Sequence, residues 1–404
     1  MYWCGFWYNP PVNTVQKDEK YLGRGGTPRP LVVKKTDGFY VYDDKGKRYI
    51  DFFMGWCVGE VGWNIPEIDK EIRKFKGPTY VAPSYYYEGW SQLAELLAKV
   101  TPKGLVKSFR ATGGTEAVEI ALQAAMSHTK RQKFISIEGS YHGHSIGAMS
   151  IGSSDFRSWY KNLLFHCNKI TPPLNEQAAV KVEQLLSKRD IAAYISEPIV
   201  CNIGVEIPDK IYYGIVQKAC KKYGTLFVAD EVATGFGRTG KMFACEHYSL
   251  EPDIMCLAKG LSGGYGAIGA TIMTEEVAKS FEFSFSFYST FGWHPLNVQA
   301  AIANIKYLLK NKKKLLANAD KSSRYIQKRL NSVKFRYPAT IRAKGLAIGV
   351  EVKNERYVKG IILKALQKGL LLADTGPTKL VMFPALDIDL KTLKKGLDIL
   401  EECL

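Results

Sequence analysis

The sequence predicts an α/β fold, with a mostly parallel sheet between helices in a large domain and a smaller α+β domain formed from both chain ends. Short β-rich runs alternate with amphipathic helical patterns through the middle of the chain, as in sheets covered on both faces. Strand-like runs also lie before and after this region. With 404 residues, the chain is long enough to bury the cores of one large and one smaller domain.

The central region contains runs with strand character and two clear helical patterns. Apolar side chains recur at helical spacing in residues 118–125 and 211–223. The predicted strands are Phe134–Ile137, Ala192–Ser196, Leu226–Ala229, Ile254–Leu257 and Ala270–Met273. Together these elements predict an α/β domain at about residues 55–290.

Strand patterns also precede and follow the central region. Residues Phe39–Tyr42 and Lys47–Ile50 have strand character and are separated by a tight turn. After a helical stretch that starts at Asn297, strands are predicted at Ala347–Val352 and Leu380–Phe383. Both ends of the chain therefore carry elements that the central sheet does not use.

The two chain ends are expected to fold together as the smaller domain. The expected division is an N-terminal segment 1–54 that joins the small domain, a large domain 55–290, and a C-terminal part of the small domain 291–404. The sequence has no internal repeat and no low-complexity linker within these segments.

Composition argues against several classes of protein. A hydrophobic fraction of 46% and a charged fraction of 24% are typical of globular chains. No stretch approaches the roughly 20 uninterrupted apolar residues of a transmembrane helix, so no membrane partner is expected. The start lacks the features of a signal peptide, and the eight cysteines form no C-x-x-C pair, which favours a cytoplasmic location. His142 and His144 lack a third ligand, so no metal site is expected.

The net charge is strongly positive, because 56 Lys and Arg face 39 Asp and Glu. Such an excess can indicate nucleic acid or an anionic small molecule as partner. The densest basic run, Lys310–Lys314, lies in a helical pattern and is interpreted as a solvated helix face. No nucleic-acid partner is therefore expected, whereas attraction for phosphorylated or carboxylated small molecules fits the charge.

Two carboxylates and an amine follow three of the predicted strands. Glu197 follows the strand that ends at Ser196, Asp230 follows the next strand, and Lys259 comes just after the third. Ligands of open α/β sheets bind at the carboxyl ends of the strands, where these side chains are expected to meet. A chemical site and a structural ion pair would look alike in sequence, and spacing alone does not separate them.

A glycine-bearing turn, residues 111–115, comes before a helix with Glu116 and Glu119 in its first turn. Free backbone N–H groups and the helix dipole suit such a terminus to a phosphate, although a glycine turn is often only a helix cap. The run Gly264–Gly269 matches G-x-G-x-x-G, but a predicted strand follows it. A dinucleotide-binding motif requires a helix there, so this interpretation is rejected.

Short motifs occur in a fixed order through most of the chain. They are Gly25–Pro28, Asp43–Asp51, Gly113–Ala117, Tyr141–Gly143, Glu197–Pro198, Asp230–Val232, Gly235–Gly240, Pro252–Ile254, Ala258–Gly264 and Ser289–Gly292. Any one could arise by chance, but the ordered set resembles the class III aminotransferases of fold type I, from about Gly25 to the C-terminus. The resemblance implies pyridoxal phosphate as cofactor, a sheet of the seven-stranded type, and ping-pong transfer of amino groups.

The resemblance also implies roles for matching positions. Lys259 would form a Schiff base with the cofactor and act as the base that moves the substrate proton. Asp230 would pair with the pyridine nitrogen and keep it protonated. Tyr141 would stack on one face of the ring, and Val232 would pack against the other. Lys259 and Asp230 are thus the predicted catalytic residues.

Further cofactor contacts are implied by the same resemblance. Gly113, Gly114 and Thr115 would bind the phosphate at the start of the helix. Glu197 would hold the hydroxyl side of the ring, and His142 belongs to the same set of cofactor-binding residues. These positions complete the predicted site within one chain.

A second copy of the chain is expected to complete the site. Thr290 resembles the family residue that reaches the phosphate of the neighbouring subunit, which implies a homodimer with shared active sites. The alternative for Thr290 is a helix cap. The aromatic residues Trp3, Trp7 and Tyr8, together with Tyr85–Tyr87, are expected to pack at the dimer interface rather than line the substrate pocket.

The sequence departs from family members that act on α-amino acids. Where those members carry a glutamate and an arginine that gate a carboxylate, this chain has Asn202 and Val381. Other motifs resemble the glutamate-1-semialdehyde aminomutase branch more closely, yet Glu19 stands where that branch has its substrate arginine. Neither Val nor Glu can replace the forked hydrogen bonds of arginine, so we expect a substrate without that carboxylate geometry, such as a sugar or an amine. Arg238 and Arg24 remain as candidate anion contacts.

The leading functional prediction is an aminotransferase with a small-molecule amine donor and a carbonyl acceptor. An aminomutase, racemase or lyase would use the same Lys259 and Asp230, so the sequence separates these reactions poorly. A further alternative is an inactive homologue that serves as a binding protein. The joint presence of Lys259, Asp230 and the phosphate turn argues against this alternative.

Overall fold

The computed structural model describes residues 12–25, 29–164, 167–282 and 289–404. The aromatic residues Trp3, Trp7 and Tyr8, and residues 26–28 of the Gly25–Pro28 motif, lie outside these ranges. Within the described ranges, every helix is either too short or too polar for a transmembrane span.

The helices of the described ranges cover most of the predicted helical patterns. They are α1 (Val12–Tyr21), α2 (Met54–Cys57), α3 (Pro66–Arg73), α4 (Glu88–Val100), α5 (Gly114–Thr129), α6 (Ile146–Ile151), α7 (Phe156–Trp159), α8 (Glu176–Leu186), α9 (Lys210–Tyr223), α10 (Glu275–Glu282), α11 (Pro295–Ser332), α12 (Glu355–Lys368) and α13 (Leu390–Glu401). The predicted helices at 118–125, at 211–223 and from Asn297 correspond to α5, α9 and α11.

Side chains cap several helices, whereas α5 begins differently. Ser145, Asn175, Asn354 and Asp389 each accept a hydrogen bond from the backbone N–H three residues later, at the starts of α6, α8, α12 and α13. The residue before α5 is Gly113, which has no side chain to do this. The first N–H groups of α5 have no acceptor within the helix and are therefore open to an acceptor from outside it.

The strands form three sheets. They are β1 (Val33–Asp37), β2 (Tyr40–Asp43), β3 (Arg48–Asp51), β4 (Leu105–Ala111), β5 (Lys133–Ile137), β6 (Cys167–Ile170), β7 (Ile191–Ser196), β8 (Leu226–Asp230), β9 (Ile254–Leu257), β10 (Gly269–Thr274), β11 (Ala339–Lys344), β12 (Ala347–Val352), β13 (Leu370–Leu371), β14 (Ala373–Asp374) and β15 (Lys379–Met382).

The central sheet has seven strands in the order β4-β10-β9-β8-β7-β5-β6. The pairs from β9 to β6 are parallel, whereas β10 is antiparallel to both β9 and β4. The predicted α/β class with a mostly parallel sheet is thus confirmed. Strands β7, β8 and β9 are buried along their whole length, which explains their continuous apolar sequences.

The five strands predicted in the central region correspond to β5 and β7–β10, and the two that were missed are the edges of the sheet. The edge strand β4 mixes Lys107 and Arg110 with apolar residues, and several of its side chains are exposed or half-buried. The other edge strand, β6, has only four residues. Because an edge strand is covered less completely, its sequence carries a weaker apolar pattern.

Residues from the two ends of the chain meet in a second sheet, β1-β2-β3-β13. Leu370 of β13 pairs in parallel with Ile50 of β3, and β2 and β3 form the predicted hairpin. A third, antiparallel sheet has the order β11-β12-β15-β14 and contains both predicted C-terminal strands. The long helix α11 packs against α3 and α4.

Candidate active site

Three chemically active side chains lie at the carboxyl ends of neighbouring parallel strands. Glu197 directly follows β7, Asp230 is the last residue of β8, and Lys259 lies two residues after β9. All three line one cavity of about 750 Å³. The fold therefore brings them together at one edge of the sheet, as the sequence predicted.

The same cavity collects nearly all of the predicted cofactor contacts. Those that line it are Gly113, Gly114, Thr115, Tyr141, His142, Glu197, Asp230, Val232 and Lys259. The exception is Thr290, which is exposed in this single chain and does not line the cavity. Its predicted role requires a second copy of the chain.

Asp230 and His142 form a buried pair in the lining of the cavity. His142 Nδ1 and Asp230 Oδ2 are 2.6 Å apart, and the N–H of Val232 donates to Asp230 Oδ1 at 3.0 Å. Both oxygens of the carboxylate are thus held in place, yet each can accept a further hydrogen bond. His142 Nε2 is buried and has no hydrogen-bond partner within the described residues. In those residues, no group of three or more His, Cys, Asp or Glu is placed to hold a metal ion.

Glu197 is a buried carboxyl group with one oxygen unused. The N–H of Cys201 donates to Oε2 at 3.0 Å, whereas Oε1 has no partner in the described residues. Burial, with a smaller contribution from the nearby Asp230 charge, raises the pKa of Glu197 to about 8. At neutral pH the carboxyl is therefore mostly protonated and can donate a hydrogen bond into the cavity.

Lys259 lies in a strained backbone. Its φ of 43° is in the left-handed region, which a side chain other than glycine seldom adopts. The next residue, Gly260, packs so tightly that an added Cβ would lie 2.7 Å from Glu60 Cγ. Strain of this kind persists where the surrounding packing fixes it, and it is common at functional sites. The packing around Lys259 thus fixes the point at which its side chain joins the backbone.

The start of α5 forms one wall of the cavity. An added Cβ on Gly114 would lie 3.0 Å from Val232 Cγ1, so only glycine fits there without movement. Gly143 has a φ of 128°, and a Cβ on it would lie 2.5 Å from Thr115 Oγ1. The backbone can therefore approach a ligand closely, and the N–H groups and dipole of the helix start favour an anion.

Tyr141 and Val232 supply the aromatic and aliphatic surfaces of this part of the cavity. Tyr141 is 38% exposed, and its hydroxyl lies 2.6 Å from His144 Nδ1. Burial of the ring raises the pKa of Tyr141. Its hydroxyl remains protonated at neutral pH, and its ring face is available to a planar ligand.

A further part of the cavity lining is mostly apolar and was not predicted. It includes Trp56, Cys57 and Val58. Trp56 and Cys57 belong to α2, a single left-handed turn in which all four residues have positive φ. In the sequence, Gly55 is the one residue that indicates a left-handed turn here. A glycine does not indicate which neighbouring side chains line a cavity.

Residues from two further segments complete this apolar part. Cys201 and Asn202 follow β7, and Phe383 follows β15. Val381, in the place of the family's arginine, is buried in an apolar cluster with Cys57, Cys201 and Phe383. Val381 itself is fully buried and does not line the cavity, whereas Phe383 does.

The two remaining candidate anion contacts do not line the cavity. Arg238 is fully buried and forms an ion pair with Glu60, with 2.8 Å between Arg238 Nη2 and Glu60 Oε2. It also donates to the carbonyls of Leu346 and Pro384, so the prediction that it contacts a substrate anion is wrong. Arg24 is exposed and paired with Asp18. The charge of each arginine is therefore paired with a carboxylate of the same chain.

Comparisons with known proteins agree with this geometry. The family model "Aminotransferase class-III" matches residues 21–404. The chain is 34% identical to the acetylornithine aminotransferase of Methanosarcina acetivorans and 30% identical to the adenosylmethionine-8-amino-7-oxononanoate aminotransferase of Staphylococcus aureus, with 96% of each chain covered in both cases. The solved structure of the latter enzyme from Methanocaldococcus jannaschii superposes with a TM-score of 0.89 at 29% identity, over 96% of this chain and 97% of that one.

Proposed function

The chain belongs to the class III aminotransferases and is a pyridoxal phosphate-dependent aminotransferase, and from this premise we propose which residues hold the cofactor and which substrates it takes. The observation that supports the proposal most directly is the convergence of Lys259, Asp230 and the open helix start of α5 on one cavity.

The residues present fit this cofactor. Glu197 lines the cavity and its Oε1 has no hydrogen-bond partner among the described residues, and the glycine at 114 leaves room where a Cβ would contact Val232. When bound, pyridoxal phosphate supplies an aldehyde that binds amines covalently and a ring that accepts the electrons of a carbanion.

Lys259 is the proposed attachment point and the proton carrier. Its Nζ would hold the cofactor when no substrate amine is bound. Once released, this amine would be the group that takes the proton from the substrate carbon. The strained backbone at this residue supports the role, because it fixes the origin of a long and flexible side chain.

Asp230 is the proposed partner of the ring nitrogen, and His142 is its positioning residue. The hydrogen bond from His142 and the N–H of Val232 keep the Asp230 carboxylate in one orientation. A fixed negative charge in a buried site holds a proton on a nearby nitrogen more strongly than a mobile one in water.

Other side chains hold the rest of the cofactor. The protonated Glu197 donates to the hydroxyl side of the ring, and Tyr141 and Val232 cover its faces. The backbone of Gly113 and Gly114 and the hydroxyl of Thr115 would bind the phosphate. They line the cavity at the start of α5, which supports this assignment.

We propose that the enzyme works as a homodimer. Thr290 is exposed in the single chain, and so is the neighbouring Phe291, at 62%. Two tyrosines that precede α4 are exposed as well, Tyr80 at 42% and Tyr86 at 105%. Exposed aromatic groups of this kind are frequent in protein interfaces. A second copy would cover them and bring Thr290 to the partner's phosphate site.

Two observations support the proposed location and the proposed domain division. The cysteines of the described residues are all unpaired, which fits the reducing cytoplasm. A small domain made from residues 1–54 and 291–404 is supported by the pairing of β3 with β13. A large domain at 55–290 would then carry the central sheet.

At least one of the two substrates is proposed to lack an α-carboxylate. A buried apolar cluster that contains Val381 and the cavity residue Phe383 takes the place of the arginine of family members that bind α-amino acids. The likeness to the glutamate-1-semialdehyde aminomutase branch stays a prediction, since the relatives named above are aminotransferases. A neutral amine donor with an apolar substituent fits the surface best.

Two spectroscopic half-reactions test this function. The cofactor-loaded protein is mixed separately with 1-phenylethylamine, L-alanine, L-glutamate and glutamate semialdehyde, and the loss of Schiff-base absorbance is followed. We expect the neutral amine to react, and pyruvate or 2-oxoglutarate to restore the absorbance afterwards. Reaction with amino acids alone, or a marked preference for glutamate semialdehyde, would contradict the proposed substrate. Failure of every oxoacid and keto-sugar to restore the absorbance would favour a mutase or lyase.

A further inference from the structure

Arg110, near the end of β4, carries a charge that the described chain leaves unpaired. Its guanidinium stacks on Trp90, with Arg110 Cζ 3.7 Å from the ring centroid. Nη2 has one long contact, 3.5 Å from the carbonyl of Pro83, and Nη1 is buried without a hydrogen-bond partner in the described residues. A partly desolvated guanidinium without an acceptor is costly, so Arg110 is suited to an acceptor from outside the described chain.

Arg110 lies next to the turn that carries Thr290. A Cβ added to Gly292 would lie 2.9 Å from the carbonyl oxygen of Arg110, and the indole of Trp90 donates to the carbonyl of Trp293 at 2.6 Å. The exposed rings of Tyr80 and Phe291 contact each other, with centroids 5.9 Å apart. Arg110 thus belongs to the face that the proposed dimer covers.

The cavity of the same chain does not use Arg110 and lacks a similar group. Among the described residues that line it, Lys259 is the one Lys or Arg, and the cofactor occupies that amine. Common amino acceptors are oxoacids, whose carboxylate is best recognised by a guanidinium that donates two parallel hydrogen bonds. For such a substrate the cavity of one chain is therefore incomplete.

We propose that Arg110 reaches the active site of the partner subunit and binds the carboxylate of the acidic substrate, a 2-oxoacid or the amino acid formed from it. The proposal rests on the homodimer proposed above and deepens it. Two different surfaces then bind the two substrates. The apolar residues around Phe383 bind the neutral substrate, and Arg110 of the second copy binds the acidic one. Stacking on Trp90 holds the guanidinium in one plane for this contact.

Kinetics of Arg110→Met and Arg110→Lys test the assignment. Met keeps the apolar stem that packs on Trp90 and removes the charge, so we expect the KM for pyruvate or 2-oxoglutarate to rise by at least about tenfold. Arg110→Lys keeps the positive charge but cannot donate two parallel hydrogen bonds, so its KM for the oxoacid should rise less than that of Arg110→Met. The KM for 1-phenylethylamine and the cofactor affinity should stay within about twofold. An unchanged oxoacid KM, or a loss of cofactor affinity instead, would show that the carboxylate is not the ligand of Arg110.

A mixed dimer tests whether the contact crosses the interface. Differently tagged Lys259→Ala and Arg110→Met chains are combined, and the heterodimer is isolated. Its one competent site has Lys259 in the chain that carries Met at 110, so only the partner can provide Arg110. A wild-type oxoacid KM in this heterodimer supports the proposal. A raised KM, or a wild-type protein that is monomeric by light scattering, overturns it. Wild-type transamination persists in either case, so failure here differs from failure of the proposed function.

Discussion

The residues that line the cavity form a polar end and an apolar end, which adjoin where the Cys201 N–H donates to Glu197. The two are built in different ways. At the end with Lys259 and Asp230, each functional group sits at a strand end or a helix start and is held by hydrogen bonds or tight packing. At the end with Cys57 and Phe383, the surface is apolar and comes from a left-handed turn and a C-terminal strand. The comparison indicates that the chemistry depends on local motifs fixed to a rigid sheet, whereas selectivity depends on packing between distant segments.

The largest expected effect comes from the polar end. Lys259→Ala removes both the attachment of the cofactor and the proton carrier, so kcat should fall by more than about 10³-fold. The Schiff-base absorbance of the loaded protein should also disappear. Lys241→Ala, at an exposed position, is the matched control and should keep full activity. Full activity of Lys259→Ala would remove the mechanism proposed for this end of the cavity.

A smaller and more selective effect is expected at the apolar end. Phe383→Ala removes a buried ring from the substrate surface, so the KM for 1-phenylethylamine should rise by about tenfold while cofactor absorbance is unchanged. Phe281→Ala is a control for lost core packing, because this equally buried ring lies outside the cavity. Equal kinetic effects of the two variants would show that Phe383 acts through stability alone and would weaken the contrast between the two ends.

The smallest effect concerns the pH dependence of stability. Because the pKa of Glu197 is raised to about 8 in the folded chain, the unfolded chain releases this proton at lower pH than the folded chain does. Stability should therefore fall as pH rises from about 5 to 8, relative to Glu197→Gln, which cannot ionise. Without cofactor, thermal unfolding should show the wild-type Tm dropping by about 5 °C more than that of the variant over this interval. Parallel pH profiles would mean that Glu197 is ionised in the folded chain.

The sequence allowed much of the polar end to be predicted. The strand ends that carry Glu197 and Asp230 were located by apolar runs, and the turn before α5 by its glycines. The departure at Val381 was also visible in the sequence, and its burial beside Cys57 agrees with a neutral surface. Edge strands β4 and β6 were missed because partial exposure weakens the pattern of apolar residues.

The pairings of charged groups were not predictable from the sequence. Arg238 looked available to a substrate, but it is bound by Glu60, which lies 178 residues away in the chain. The hydrogen bond between His142 and Asp230 also joins distant segments, and the sequence did not show that this histidine has a buried carboxylate as its partner. A sequence shows which residue carries a charge, whereas the partner of that charge is chosen by the fold.

By itself, the sequence determined the class of fold, the order of the main central elements and the residues at the strand ends, because backbone hydrogen bonding and side-chain spacing act over a few residues. The tertiary structure alone decided the raised pKa of Glu197, the internal ion pair of Arg238, the apolar end of the cavity and the charge of Arg110, which has no anionic partner among the described residues. Each of these depends on burial and on contacts between segments far apart in the chain, since desolvation and ion pairing act through space.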